Sequence, residues 1–243
     1  MDFELMREAA PEILGGLPDT LTLVGASLAI GFVVAVAVAM ARLSPYFVLQ
    51  KLAYGYVYVF RSTPLLVQIF LIYYGSGQFR PELQEVGLWT LFREPYFCAI
   101  LALTLNTGAY TSEIIRGGIQ SVPLGQIEAG RAVGMSRAQL FRRIVFPVAI
   151  RQALPAYGNE IILMVKSTSL ASTITILEVT GIAKKIIAAT FAPIEVFVVA
   201  GAIYLTINFI VTRGVMFTER ALSPQLYRGE TKVDKPPQDA LAH

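Results

Sequence analysis

The sequence has 243 residues, of which 55% are hydrophobic and only 15% are charged. Soluble domains carry about 25% charged residues, so this composition excludes a water-soluble globule. A membrane-spanning helix needs about 20 apolar residues, and the chain therefore fits one all-α integral membrane bundle of about five transmembrane helices. The only cysteine is Cys98 and the only histidine is His243, which argues against a zinc centre or a Cys–His nucleophile. We expect no catalytic residue, metal or cofactor in this chain.

Five apolar runs follow one another along residues 1–222, which we predict to form a single membrane domain. The first is preceded by acidic rather than basic residues, so it is interpreted as a retained span and not as a cleavable signal. The hydroxyl-rich segment that begins at Ser167 is expected to dip into the membrane inside a protein-lined or water-lined cavity. Residues 223–243, with prolines and mixed charges, are predicted to be a disordered tail. The predicted spans lie near 21–41, 52–74, 96–115, 144–166 and 196–212.

The distribution of Lys and Arg predicts the orientation of this bundle. With the N-terminus outside, the internal segments 42–51, 116–143 and 213–243 hold twelve basic residues, against six in the external segments. Basic residues accumulate in cytoplasmic loops. We therefore expect an external N-terminus and a cytoplasmic C-terminus, with residues 116–143 as the main internal loop.

This internal loop contains a short predicted helix rich in small residues. Pro123 suits the first turn of a helix, and Gly134 is suited to ending it. Ala129 and Gly130 leave little side-chain bulk, so the surface of another protein could approach the backbone closely. The chain has no G-x-x-x-x-G-K-[ST] phosphate-binding loop, and any ATP hydrolysis would therefore belong to a partner.

The same loop carries a resemblance to a known family. The stretch from Glu128 to Pro147 reads E-A-G-x3-G-x9-I-x-F-P, and it resembles the E-A-A-x3-G-x9-I-x-L-P signature of permease subunits of binding-protein-dependent ABC importers. Gly130 and Phe146 depart from the signature but keep its chemical type. The segment F-R-S-T-P-L-L-V-Q, which begins at Phe60, resembles polar amino-acid permeases. The similarity is greatest to the M-type subunits of histidine/lysine-arginine-ornithine and octopine/nopaline importers.

This resemblance implies a fold, a set of partners and a location. The fold would be that of a type I ABC importer permease (MetI-like). The partners would be a cytoplasmic ABC ATPase dimer that binds ATP and Mg²⁺, a second homologous permease in a heterodimer, and a periplasmic substrate-binding protein. The substrate would be a basic amino acid or an opine such as octopine or nopaline, and the location the bacterial inner membrane. The residues expected to couple to the ATPase are Glu128, Ala129, Gly130, Gly134 and Arg137.

Candidate substrate residues come from the cost of placing charge in a membrane, because ionisable side chains in spans are usually functional. Helical spacing puts Asn106, Tyr110 and Glu113 on one face and Glu160, Met164 and Ser167 on another. The resemblance implies a substrate-contacting acid at Glu160, whereas structural bonding is favoured for Glu113. Arg61 is expected to satisfy backbone carbonyls at a helix break near Thr63-Pro64 or to pair with an acid. The substrate-pathway set is Glu160, Asn159, Asn106, Tyr110, Glu113, Ser167 and Thr168, and the structural or pathway set is Arg61, Thr63, Pro64 and Gln68.

Two other classes of protein are alternatives to the importer. A self-sufficient secondary transporter or channel would explain the spans and the acids within them, but not the partner-docking signature in the loop. An intramembrane enzyme is disfavoured because neither H-E-x-x-H nor G-x-S-x-G occurs and the sole histidine is the last residue.

Overall fold

The computed structural model describes residues 1–222, in which helices are joined by short turns and no strand occurs. The predicted disordered tail lies outside the described residues. A π-helical turn at Phe141–Val145 joins α9 to α10, and 3-10 turns occupy Gly77–Phe79 and Thr168–Ile174. The helices are α1 (Phe3–Leu14), α2 (Leu17–Arg42), α3 (Phe47–Ser62), α4 (Leu65–Ser76), α5 (Arg80–Glu85), α6 (Trp89–Phe92), α7 (Pro95–Gln120), α8 (Leu124–Ala132), α9 (Arg137–Leu140), α10 (Phe146–Ser167), α11 (Val179–Thr190) and α12 (Pro193–Leu222).

Length and apolarity alone mark α2 and α12 as helices able to cross a membrane, and up to four spans result if two bent pairs each count as one. The helices on the two sides of the α3/α4 junction meet at 103°, so the predicted span 52–74 is broken rather than continuous. The other bent pair joins Arg137–Ile174 to α11 at 47°. The predicted span 96–115 corresponds to α7, which is less apolar because it carries polar side chains that the bundle encloses.

The packing of α2 against α7 is the most extensive between any two described helices. The face of α2 that meets α7 carries small residues at every fourth position, all of them buried: Ser27, Gly31, Ala35 and Ala39. A Cβ on Gly31 would strike the side chain of Thr107 on α7. Small residues at such spacing let the backbones of membrane helices approach closely, and this contact fixes α7 at the centre of the bundle.

A buried carboxylate ties α11 to α12 at the other side of the bundle. Glu178 is fully buried, and its side chain accepts hydrogen bonds from the backbone N–H groups of Thr180 (3.0 Å) and Gly181 (2.9 Å) at the start of α11. The hydroxyl of Tyr204 on α12 donates to it at 2.6 Å. A buried carboxylate is tolerated when hydrogen bonds surround it in this way, and the bonds hold the two helices together.

Candidate functional site

The break between α3 and α4 is bridged by two side-chain amides. Pro64 disfavours helical backbone at Thr63 and cannot continue the hydrogen-bond ladder of α3. The carbonyls released there receive new donors. Gln68 Nε2 donates to the oxygens of Phe60 (2.9 Å) and Thr63 (3.1 Å), and Asn106 Nδ2 donates to Phe60 O (3.3 Å) and to Gln68 Oε1 (2.9 Å). The break is therefore a fixed feature in which α7 supplies part of the hydrogen bonding.

A cavity of about 470 Å³ lies at this break, between α7 and α10. Glu160 reaches it from α10 and keeps 7% of its surface exposed. Its Oε1 accepts a hydrogen bond from the hydroxyl of Thr107 on α7 at 2.8 Å. Within residues 1–222, no basic side chain lies within 4.0 Å of this carboxylate. The cavity thus holds an acid that has one neutral hydrogen-bond donor and no cation within ion-pair distance, although Arg61 lines the same cavity.

The side chain of Arg61 takes a different position from the one expected. Its guanidinium lies 5.1 Å from the centre of the Tyr110 ring, and both residues line the cavity. The expectation that Arg61 satisfies the carbonyls of the break is wrong, because Gln68 and Asn106 do so. The alternative of an ion pair is also not observed, since no described carboxylate lies within 4.0 Å of it.

A second, smaller cavity of about 350 Å³ shares Arg61 and Tyr110 with the first and is closed by an ion-pair cluster. The carboxylate of Glu113 forms ion pairs with Arg116 Nη2 (2.7 Å) and Arg42 Nη2 (3.4 Å). Two cations on one carboxylate leave it little capacity to bind a third. This geometry agrees with a structural role for Glu113.

The predicted pathway residues divide into those that line the larger cavity and those that do not. Gln68 lies behind the wall, where it is buried and holds the break. Asn159 is exposed and does not contribute to the wall. The Thr168 hydroxyl is buried and donates to Val165 O in the last turn of α10 (2.8 Å). The predicted residues that do line the cavity are Glu160, Asn106, Tyr110, Ser167, Arg61, Thr63 and Pro64.

Sequence reasoning missed two residues that act on these acids, Thr107 and Arg42. Thr107 belongs to a buried polar stripe on α7 that also contains Thr104 and Thr111. Hydroxyls at such spacing on a membrane helix indicate a face that packs against protein, and this signal could have identified Thr107. The sequence identifies Arg42 only as a basic residue of a loop. Its ion pair with Glu113 could not be predicted, because it depends on how α2 and α7 pack.

The predicted coupling helix is α8, and Gly134 ends it as expected. Gly134 has φ +78°, a left-handed conformation that favours glycine. Its N–H donates to Arg131 O at 2.9 Å, and the N–H of Met135 donates to Gly130 O at 3.0 Å. These two bonds are those of a Schellman motif, and they turn the chain sharply toward α9.

Gly130 does not lie on an exposed small-residue face, contrary to the expectation from the sequence. It is buried, and a Cβ there would lie 2.6 Å from Leu140 Cδ1 and 2.8 Å from Ile144 Cδ1. Its absent side chain therefore lets α8 pack on the segment that leads into α10. Glu128, Ala129 and Arg137 are exposed, so these three predicted coupling residues remain accessible to a partner.

Comparison with known proteins identifies the class to which this geometry belongs. Residues 27–223 match the family model described as "Binding-protein-dependent transport system inner membrane component". The chain is 69% identical to the nopaline transport system permease protein NocM of Agrobacterium fabrum, over 93% of this chain and 94% of that protein. It is 44% identical to the arginine ABC transporter permease protein ArtM of Escherichia coli strain K12, over 88% of this chain and 96% of that protein.

Solved structures agree with this classification. A crystal structure of an amino acid ABC transporter with histidines superposes with a TM-score of 0.80 at 34% identity, covering 91% of this chain and 99% of that one. An inward-facing MetNI methionine ABC transporter superposes with a TM-score of 0.71 at 19% identity, covering 91% and 99% of the two chains, and it supports the fold alone. The chain therefore belongs to the inner-membrane components of binding-protein-dependent transport systems, the permease subunits of ABC importers.

Proposed function

We propose that this permease carries basic amino acids (histidine, arginine, lysine or ornithine) or opines such as octopine and nopaline. The observation that carries the proposal is Glu160, a buried carboxylate that faces the cavity at the helix break and has no cation within 4.0 Å. Relatives named for nopaline, octopine and arginine transport, at 69%, 53% and 44% identity, support the same substrate class. No finding favours the alternative of a self-sufficient channel or secondary transporter.

The chemistry of the cavity suits a substrate that carries both signs of charge. An ionised carboxylate inside a membrane protein is costly unless a cation accompanies it, and a cationic side chain of the substrate would supply one to Glu160. The guanidinium of Arg61 forms no described ion pair and lines the same cavity. We assign it to the substrate carboxylate, for which the planar fork of arginine is well suited. Tyr110 would support Arg61 through its ring.

Replacement of the acid tests this assignment. Glu160→Gln keeps the size of the side chain and removes its charge, so we expect ATP-dependent uptake of radiolabelled arginine by reconstituted complexes to fall about ten- to a hundredfold, the range for losing one hydrogen bond to a charged group. Glu94→Gln, at an exposed acid near the start of α7, is the matched control and should transport normally. Unchanged uptake by a fully assembled Glu160→Gln complex would refute the role of Glu160.

Coupling to ATP hydrolysis would occur through α8. Leu124 and Val133, close to its two ends, are 74% and 73% exposed, an unusual state for apolar side chains on a short helix. We propose that α8, with Glu128 and Ala129, docks in a groove of the cytoplasmic ABC ATPase, which binds the ATP and Mg²⁺. Because Gly130 packs on the segment entering α10, a displacement of α8 would move α10 and with it Glu160.

The end of α8 offers a sharp test of this coupling. Gly134→Val places a β-branched residue in a left-handed conformation, at a cost of roughly 1–2 kcal/mol, and should distort the turn that links α8 to α9. We expect ATP hydrolysis to continue while arginine uptake per ATP falls severalfold. Gly134→Asn is the control, since asparagine tolerates this conformation. Equal coupling in the two variants would contradict the proposed link.

The remaining proposals concern the assembly and its orientation. An excess of basic residues in segments 42–51, 116–143 and 213–243 supports an external N-terminus and a cytoplasmic C-terminus in the bacterial inner membrane. The polar cavities open at the surface of this single subunit, and a second permease would complete the pathway. We propose a heterodimer with a homologous permease, served by an ATPase dimer and a periplasmic substrate-binding protein.

Purification through a tag on this chain tests the composition of the assembly. From its native membrane in a mild detergent, we expect the tagged permease to recover one copy of a further permease of different sequence and two copies of an ABC ATPase. A permease of a different transport system from the same membrane, with the same tag, serves as the control for detergent-induced association. Recovery of the ATPase with this permease alone would establish a homodimer, and recovery of neither would contradict the importer assembly.

A further inference from the structure

The cavity that the proposed transport function does not use lies between α2, α7 and α10, at the end of the bundle that carries α8. Its volume is about 400 Å³, and its wall is almost entirely apolar. The residues that carry the argument are Val36 and Met40 of α2, Ile115 and Ile119 of α7, and Phe141 and Phe146 beside the π-helical turn. A polar substrate would gain nothing from such a wall, because it offers almost no hydrogen-bonding group.

Part of the α7 wall of this apolar cavity lies on the opposite side of the helix from the polar cavities. Nine residues separate Asn106, which lines the larger polar cavity, from Ile115. At about 100° per residue, this separation turns the two side chains to opposite faces of the helix. Ile115 and Ile119 therefore face away from the proposed pathway. In a permease embedded in a bilayer, such a face is open to lipid acyl chains.

Two arginines follow one wall residue directly in the chain, and their side chains line separate cavities nearby. Arg142 and Arg143 lie on the π-helical turn, directly after Phe141 in the wall, and both are exposed. Arg142 precedes Phe146 by four residues, so the two side chains lie on one face about one turn apart. Within residues 1–222, no carboxylate lies within 4.0 Å of either arginine. An apolar slot with exposed cations between two of its wall residues, Phe141 and Phe146, suits an acyl chain attached to an anionic headgroup.

We infer that this cavity binds one anionic phospholipid, with an acyl chain between Val36 and Phe146 and its phosphate on Arg142 and Arg143. Charge complementarity selects the anionic headgroup, since basic residues next to membrane helices attract anionic lipids. The site is independent of the substrate proposed above. It joins the bilayer to the Phe141–Val145 turn, through which α8 and α10 are connected. A lipid in this position would brace that connection.

The test measures lipid binding to the intact complex with its ATPase, by native mass spectrometry with dioleoyl phosphatidylglycerol and dioleoyl phosphatidylcholine as probes. The wild type should bind phosphatidylglycerol preferentially. Two arginines near the phosphate contribute a combined factor of about thirtyfold, so Arg142→Gln/Arg143→Gln should lose about that much of the preference. Lys51→Gln, which removes an exposed charge on α3, should retain it, and Arg142→Lys/Arg143→Lys should preserve most of it.

A second variant addresses the cavity without touching the charges. Val36→Trp fills the slot and should abolish binding of both lipids at this site, whereas Val33→Trp, at a position of α2 that is 68% exposed and outside the cavity wall, should not. Loss in the arginine variant with retention in Val36→Trp would identify headgroup attraction alone and overturn the acyl-chain site. Equal binding of the two lipids by the wild type, or loss of preference in Lys51→Gln, would overturn the proposal as well.

Discussion

A helix that breaks inside a membrane must find partners for the backbone groups it releases, because hydrocarbon offers none. In this permease the released backbone groups are at the junction of α3 and α4, where Pro64 interrupts the helix. Gln68 supplies donors from the second half of the break and Asn106 supplies them from α7. The side chains that satisfy the break thereby fix α7 against it. The polar cavity exists because these three segments cannot close on one another as a continuous helix would.

The same constraint links the cavity to the cytoplasmic end of the bundle. Glu160, the acid in the cavity, lies on α10. The segment that leads into α10 packs through Leu140 and Ile144 against Gly130 of α8. Gly134 then sets the angle at which α8 leaves. In the proposed mechanism, one continuous arrangement of helices would thus carry both substrate contact and ATPase docking. The tight α2–α7 packing, made by small residues, provides the fixed frame against which α10 could move.

Much of this arrangement could be predicted from local sequence. Helical spacing correctly grouped Asn106 with Tyr110 and Glu160 with Ser167, and the glycine that ends α8 was identified from its position alone. What could not be predicted depends on packing between distant segments. Gly130 reads as an exposed small residue until Leu140 is folded over it. The sequence allows Arg61 either the carbonyls of the break or an acidic partner, because nothing in it shows that Gln68, seven residues later, reaches those carbonyls first.

The most direct test of this account is Gln68→Met, which keeps the length of the side chain and removes its amide donors. Gln50→Met, at an exposed glutamine on α3, is the matched control. With ATPase assembly verified for both, we expect Gln68→Met to lose arginine binding by the complex, measured at equilibrium without the periplasmic protein, while the control binds normally. Normal binding by Gln68→Met would show that the break, and the cavity beside it, do not depend on this hydrogen bonding.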